Sequence, residues 1–339
     1  MPTPVTRAAN TPTLGEATLV AHAKWTSPCC RSSRTPRRRL CIDRSEGTVD
    51  LGIAPKWLLK RVPRPLKELG LRLYRAVLDR WDMLVLRGDD PIPPRRLWFI
   101  IEGKDFREIG AEFLRHFRTL GGLQPTDRVL EVGCGVGRMA IPLTHFLSER
   151  GTYEGFDIVS AGIEWCRARI TARYPNFRFR HADLRNLTYN PDGSGQAAGY
   201  RFPYDDGAFD FVFLTSVFTH LMPEEVRQYL SECARVLRTG GTLFATFFLL
   251  NDESVTAVGH GRSDVDLRHE LGDCRVAFPH IPSAAVGYQE GFVRQRLAER
   301  GLALVEPIHY GSWCGRREFL SFQDIVIASR VSAPGPAPC

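Results

Sequence analysis

Apolar positions fall into short uninterrupted runs through the middle of the chain, and each run ends on or beside an acid or a hydroxyl residue. Residues 128–132 read Arg-Val-Leu-Glu-Val, 153–158 Tyr-Glu-Gly-Phe-Asp-Ile, 177–184 Phe-Arg-Phe-Arg-His-Ala-Asp-Leu, and 209–216 Phe-Asp-Phe-Val-Phe-Leu-Thr-Ser. Runs of that length, rich in β-branched and aromatic residues, predict buried strands. Between them the spacing becomes helical: Met139, Ile141, Leu143 and Leu147 follow the first run. A helix ending near Arg238, with Arg235 and Arg238 in its last turn and Gly240-Gly241 beyond, leads into a fifth strand at 242–248. A helix at about 105–120 precedes the first strand. Another at about 288–300 leads to a strand at 302–307, and a last strand falls at 324–329. Strands and helices in alternation predict an α/β domain on a largely parallel sheet.

The first run breaks into Gly133, Gly135 and Gly137, three glycines on alternate positions. Lacking Cβ atoms, they let the backbone turn sharply and approach a ligand, and such a turn offers backbone N–H groups to a phosphate, a carboxylate or the polar end of a cofactor. A dinucleotide fingerprint needs Gly-x-Gly-x-x-Gly, and Arg138 stands where its third glycine belongs. With Glu131 two residues ahead of Gly133, residues 129–138 resemble the first motif of the class I S-adenosylmethionine-dependent methyltransferases. Four further elements follow in the order that this resemblance requires, and it extends over residues 106–330.

The resemblance implies a Rossmann-like, doubly wound seven-stranded sheet with an antiparallel last strand, and S-adenosyl-L-methionine as cofactor. It carries cofactor contacts to Glu131, Gly133, Gly135 and Gly137 in the turn, to Asp157 and Ile158 after the second strand, to Asp183 and Leu184 after the third, and to Thr215 and Ser216 after the fourth. Asp157 would take both ribose hydroxyls, as strand-end acids do in Rossmann-type folds. Asp183 would accept from the adenine amino group, with the Leu184 backbone at the ring edge. Glu131 has a second reading, as a residue that only pins the turn. Because a sulfonium methyl is already activated, the protein's task is chiefly alignment and exclusion of water.

His220, just past the fourth strand, is the candidate base for an acceptor that must lose a proton, or else a histidine bonded only to the loop backbone. Trp313, Arg316 and Arg317 lie in the loop before the last strand. There they face the acceptor, the arginines gripping a carboxylate or phosphate, or they are ordinary exposed hairpin residues. Residues 251–289 are a long polar insertion of the kind that forms lids and binding elements.

At 339 residues and 43% hydrophobic content the chain can bury a sizeable core, and no apolar run reaches the ~18 residues of a membrane span. The net charge of +7 is uneven: residues 1–80 carry +10, leaving −3 on the remainder. A catalytic body without basic excess argues against a nucleic-acid partner and for a small-molecule acceptor, a lipid- or glycan-linked precursor included. Residues 1–50, rich in Thr, Pro, Ser, Ala and Arg, read as a disordered tail, a targeting segment or the product of an upstream start. Residues 51–104 read as a helical N-terminal extension, with Leu66, Leu69, Leu73, Val77, Trp81 and Leu84 at helical spacing among Lys67, Arg72, Arg75 and Arg80. That helix caps or dimerises the domain, or residues 56–87 make a peripheral membrane contact. The catalytic domain then spans 105–330, and 331–339 is a disordered tail.

Nine cysteines in odd number, with no Cys-x-x-Cys pair, read as reduced thiols of a cytoplasmic protein. His260, His269 and His280 lack ligand spacing, so no metal is expected. Two other classes stay open: an NAD(P)-dependent oxidoreductase, and a non-catalytic module that keeps the S-adenosylmethionine-binding fold.

Overall fold

The computed structural model describes residues 91–94, 97 and 106–331, together with two short strands, Ile42–Asp43 and Thr48–Val49. The helix expected between 66 and 84, and with it the membrane-contact reading, lies outside the described residues. The chain forms two units, 1–62 and 63–339. In the first, Ile42–Asp43 and Thr48–Val49 pair antiparallel. The second holds the α/β domain.

Its main sheet comprises β1 (Arg128–Val132), β2 (Thr152–Asp157), β3 (Phe177–His181), β4 (Phe209–Leu214), β5 (Leu237–Phe247), β10 (Leu302–His309) and β11 (Asp324–Arg330), in the order β10-β11-β5-β4-β1-β2-β3. Strands β1 to β5 pair in parallel, and β11 runs antiparallel to both its neighbours. This is the doubly wound sheet with an antiparallel last strand that the sequence predicts.

Alternation along the strands feeds two cores. Val129, Phe211, Phe213 and Phe244 face α1 (Phe106–Thr119), whose buried Phe117 lies with its ring centroid 4.4 Å from Phe213 and 4.9 Å from Phe244. Burying one such ring contributes about 1.5–3 kcal/mol. Leu130, Val132, Val212 and Leu214 face the opposite way and share a core with Val226, Tyr229, Leu230 and Cys233 of α4 (Pro223–Val236). Proline at the first position of α4 and a Glu225 carboxylate accepting the Met222 N–H at 2.6 Å start that helix.

The boundaries differ from the sequence pattern at three places. The helix after the glycine turn, α2 (Ala140–Thr144), has only five residues. Thr144 donates its hydroxyl to the Ile141 carbonyl at 2.7 Å and His145 N bonds to Pro142, which tightens the last turn and ends the helix. Strand β5 begins at Leu237 rather than at 242. The left-handed Gly240 and a register shift against β4 take up the extra residues, while Asp210 pairs with Arg128 and Arg238 across that end of the sheet. The insertion at 251–289 is folded: after α5 (Asp252–Gly259), β7 (His269–Leu271), β8 (Cys274–Val276) and β9 (Val286–Gln289) join β6 (Leu249–Leu250), just ahead of it, in a second sheet of order β6-β9-β8-β7. Its last strand runs into α6 (Glu290–Glu299).

Asp324 ties these parts together. Its carboxylate is fully buried and accepts from Leu249 N (2.6 Å), Gly311 N (2.6 Å) and Trp313 Nε1 (2.7 Å), with Arg316 Nη1 at 3.3 Å. Burial pushes its carboxyl up to about 6 while the donors hold it down. Removing the acceptor strands the buried N–H groups of Leu249, Gly311 and Trp313 and takes from Arg316 one of its two carboxylate partners. Asp324→Ala is therefore expected to lower the unfolding free energy by about 3 kcal/mol or more, read from urea unfolding; a loss under about 1 kcal/mol would contradict this account.

Candidate functional site

Because β1 to β5 are parallel and β11 is reversed, the carboxyl ends of β1 to β5 and the start of β11 share one edge. Open α/β sheets bind ligands outside that edge. All the candidate cofactor residues lie along it.

The glycine turn leaves β1 with Gly133, Gly135 and Gly137 at φ +78°, +53° and +73°. A side chain at Gly133 would place Cβ 2.4 Å from Val217 Cγ2, so glycine is required there for packing as well as for conformation. The N–H groups expected to await a ligand are largely engaged within the chain. Gly133 N and Cys134 N donate to the Phe156 carbonyl, Gly137 N to Cys134 O, and Gly135 N to Asp157 Oδ2 at 2.8 Å.

Asp157 Oδ1 also accepts from Val159 N at 2.8 Å, so the buried carboxylate braces the turn with one oxygen and its own strand exit with the other. Burial raises its pKa, and the donated N–H groups of Val159 and Gly135 pull the other way. Each oxygen keeps a lone pair for a further donor. Ile158 is braced by His181, whose Nε2 lies 3.2 Å from the Ile158 carbonyl.

Asp183 is exposed at the end of β3, accepting from Ser194 Oγ (2.6 Å), Ser194 N and Asn190 Nδ2 (both 3.3 Å), and these bonds lower its pKa. The Leu184 N–H, expected at an adenine edge, is donated to Ala182 O instead.

Glu131 is buried beneath the turn and accepts the Tyr153 hydroxyl. The contact exists because residue 155, opposite Glu131 in the register, is glycine: a Cβ there would lie 2.8 Å from the Tyr153 oxygen. Burial pushes the Glu131 carboxyl up to about 8, with Tyr153 and Arg138 opposing. The bond ties β1 to β2 beneath the turn.

At the end of β4, Thr215 is buried and Ser216 has φ +58°, a left-handed conformation that is uncommon and costly outside glycine. Ser216 N donates to Thr246 Oγ1 (2.8 Å), Thr246 Oγ1 to Gln323 Oε1 (2.6 Å), and Ser216 Oγ to the same Gln323 oxygen (3.1 Å). Sequence reasoning missed Thr246 and Gln323, because their only signal is a contact spanning as many as 107 residues.

His220 packs against the insertion, with Nδ1 3.0 Å from the Ser283 carbonyl and its ring edge-on to Tyr189. The carbonyl fixes the proton on Nδ1 and the lone pair on Nε2. Desolvation lowers its pKa, against the Ser283 and Ala284 carbonyls, so the ring is neutral at pH 7.

The three residues expected on the acceptor side divide. Trp313 is fully buried and its N–H belongs to Asp324. Arg316 is turned inward, with Nε 2.8 Å from Glu253 and Nη2 3.2 Å from Asn251 Oδ1, over the Tyr310 ring. These two serve the Asp324 hub instead of an open acceptor wall. Arg317 is exposed. Among the described residues no group of His, Cys, Asp and Glu is placed to hold a metal ion, and no helix is long and apolar enough to cross a membrane.

The donor set of the crevice, Asp157, Asp183 and the hydroxyls of Thr215 and Ser216, suits a ligand that offers hydroxyls, an amino group and positive charge. A pyrophosphate would find acids there. Residues 129–241 match the family model described as a methyltransferase domain. Residues 129–241 carry a methyltransferase domain.

The domain is 28% identical over 162 residues to tRNA N(3)-cytidine methyltransferase METTL2 of Gallus gallus, covering 45% of this chain and 36% of that one. It is 36% identical over 125 residues to the fatty-acid O-methyltransferase of Mycolicibacterium smegmatis, covering 37% of this chain and 36% of the relative. With aklanonic acid methyltransferase DauC of Streptomyces it shares 30% over 134 residues, covering 31% of this chain and 61% of the relative. The chain thus spans roughly a third to three fifths of these relatives' lengths. The structure of magnesium protoporphyrin IX methyltransferase from Synechocystis with bound SAH aligns at 17% identity and a TM-score of 0.43, over 78% of this chain and 99% of the other.

The Glu131 carboxyl binds its proton up to about pH 8 in the folded domain, against 4.5 for the ordinary side chain. The folded state then holds the extra proton through that window, so stability falls as pH rises from about 4.5 to 8, by at most about 1.4 kcal/mol per unit. Glu131→Gln keeps the acceptor for Tyr153 and cannot ionise. Urea unfolding at pH 5, 6.5 and 8 is expected to show the variant gaining on the wild type at each step; parallel curves would mean that Glu131 is already ionised.

Proposed function

We propose that the protein transfers a methyl group from S-adenosyl-L-methionine to a small-molecule acceptor. The observation that carries this reading is the pair of acids at the ends of β2 and β3, Asp157 and Asp183, flanking the glycine turn of the matched domain. When bound, the cofactor supplies a methyl already activated by its sulfonium. The remaining work falls to the chain. Asp157 holds the ribose hydroxyls through its remaining lone pairs, Asp183 receives the adenine amino group, and Thr215 and Ser216 border the methionine end. His220, neutral and with its lone pair on Nε2, takes the proton of an acceptor that carries one; an acceptor already ionised needs no base.

Two relatives named for small-molecule acids, and the deficit of basic charge after residue 80, favour a small acceptor. The likeness to METTL2 favours a second reading, a cytidine of tRNA. Among the described residues five cysteines are free, all buried, which fits a cytoplasmic setting.

Calorimetric titration of S-adenosylhomocysteine into the full chain tests the core of this. Binding is expected, Asp157→Ala is expected to weaken it by roughly tenfold or more, and NADH is not expected to bind. Near-normal affinity in the variant would remove the ribose assignment, and competition by NADH would revive the oxidoreductase. Labelled transfer to bulk tRNA, lost steeply with salt, would move the acceptor to nucleic acid.

A further inference from the structure

Gln323 stands one residue before β11, at the same sheet edge as the glycine turn, and it is largely buried. Its carbonyl oxygen lies between two hydroxyls, Thr246 Oγ1 at 2.6 Å and Ser216 Oγ at 3.1 Å. The Thr246 hydroxyl is itself oriented, because it accepts the Ser216 N–H and donates to the Gln323 amide oxygen. The amide is thereby turned, with its acceptor spent inside the sheet edge and its two N–H donors on Nε2. Among the described residues Nε2 makes no hydrogen bond, and it is not sealed from solvent. A largely buried side chain that keeps two unspent donors at a ligand edge has the form of a recognition group.

Two further observations bear on its target. Ser216, which orients the amide, holds a left-handed conformation, and the next residue, Val217, packs on Gly133 of the turn. The amide is thus linked by one residue to the wall of the cofactor crevice. Strained side-chain-bearing residues of this kind concentrate at ligand sites. The segment entering Gln323 also exposes two large apolar side chains, Phe319 and Leu320, each 48% accessible.

Resting on the methyltransferase reading, we propose that Gln323 is the acceptor-recognition residue, and that its amide N–H groups hold the carboxylate of an apolar organic acid against the site. One carboxylate oxygen accepts from Nε2. The other supplies the electron pair of the new O–CH3 bond, while the S–CH3 pair returns to sulfur. Anion and sulfonium become a neutral ester and a neutral thioether, and no proton is left to move. An N–H donor suits an oxygen that brings lone pairs and repels an ammonium, so this arrangement selects acids over amines.

The test uses decanoate as the probe and decan-1-ol as its uncharged counterpart, titrated into the full chain saturated with S-adenosylhomocysteine. Gln323→Glu keeps oxygens for Ser216 and Thr246 and replaces the donors by an anion; Gln323→Met removes donors without adding charge. Both variants are expected to bind S-adenosylhomocysteine within ~3-fold of the wild type and to weaken decanoate by roughly tenfold or more, Glu more than Met, with decan-1-ol unaffected. If S-adenosylhomocysteine fails to bind the wild type, the methyltransferase reading itself fails. If it binds, and decanoate either does not bind or binds wild type and variants alike, the assignment of Gln323 is overturned. A parallel loss of S-adenosylhomocysteine in both variants also overturns it, since Gln323 would then serve the cofactor.

Discussion

Asp157 accepts the Gly135 N–H across the gap between β1 and β2, and that bond holds a turn that three glycines could not hold by themselves. Glycines in left-handed conformations give up more chain entropy on folding than other residues, so the turn needs external fixing. The end of β2 supplies it twice, through the Phe156 carbonyl and through the Asp157 carboxylate. Below the turn the Glu131–Tyr153 pair closes the gap between the same two strands. The wall of the crevice is therefore set by the exit of its neighbouring strand. A ligand that draws on Asp157 is read by a group whose position is already fixed, which lowers the ordering cost of binding.

What the sequence reveals and what it hides follows from the range of each interaction. Strand-end acids, the glycine turn and the order of elements are local, so the alternating α/β pattern and the positions of Asp157 and Asp183 at strand ends are legible from spacing, while the seven-stranded sheet follows from the resemblance. The Glu131–Tyr153 bond is legible only with the β1–β2 register, since its geometry depends on Gly155 lying opposite Glu131. The loop at 312–317 misleads for the same reason. An arginine beside a tryptophan near a sheet edge looks like an acceptor clamp, but Asp324, Glu253 and Asn251 reach Arg316 from parts of the chain that local pattern cannot join to it. The insertion hides its structure differently. Its strands have only three or four residues, too short for alternation to register against a polar background.

Electrostatics connects the two ends of the crevice. A sulfonium ligand brings positive charge to a site lined with acids, and any cation opposite it would repel the donor and compete for an anionic acceptor. His220 avoids both costs. Desolvation lowers its pKa, against the Ser283 carbonyl that accepts from Nδ1, so the neutral ring is favoured. Gln323 is likewise a donor without net charge. On the methyltransferase reading, neutral groups at this edge would leave the acceptor's own charge as the counterpart of the sulfonium, aligning an anion for in-line attack. The carbonyl that orients the imidazole belongs to the insertion, so the folding of residues 251–289 fixes how the ring is presented at this edge.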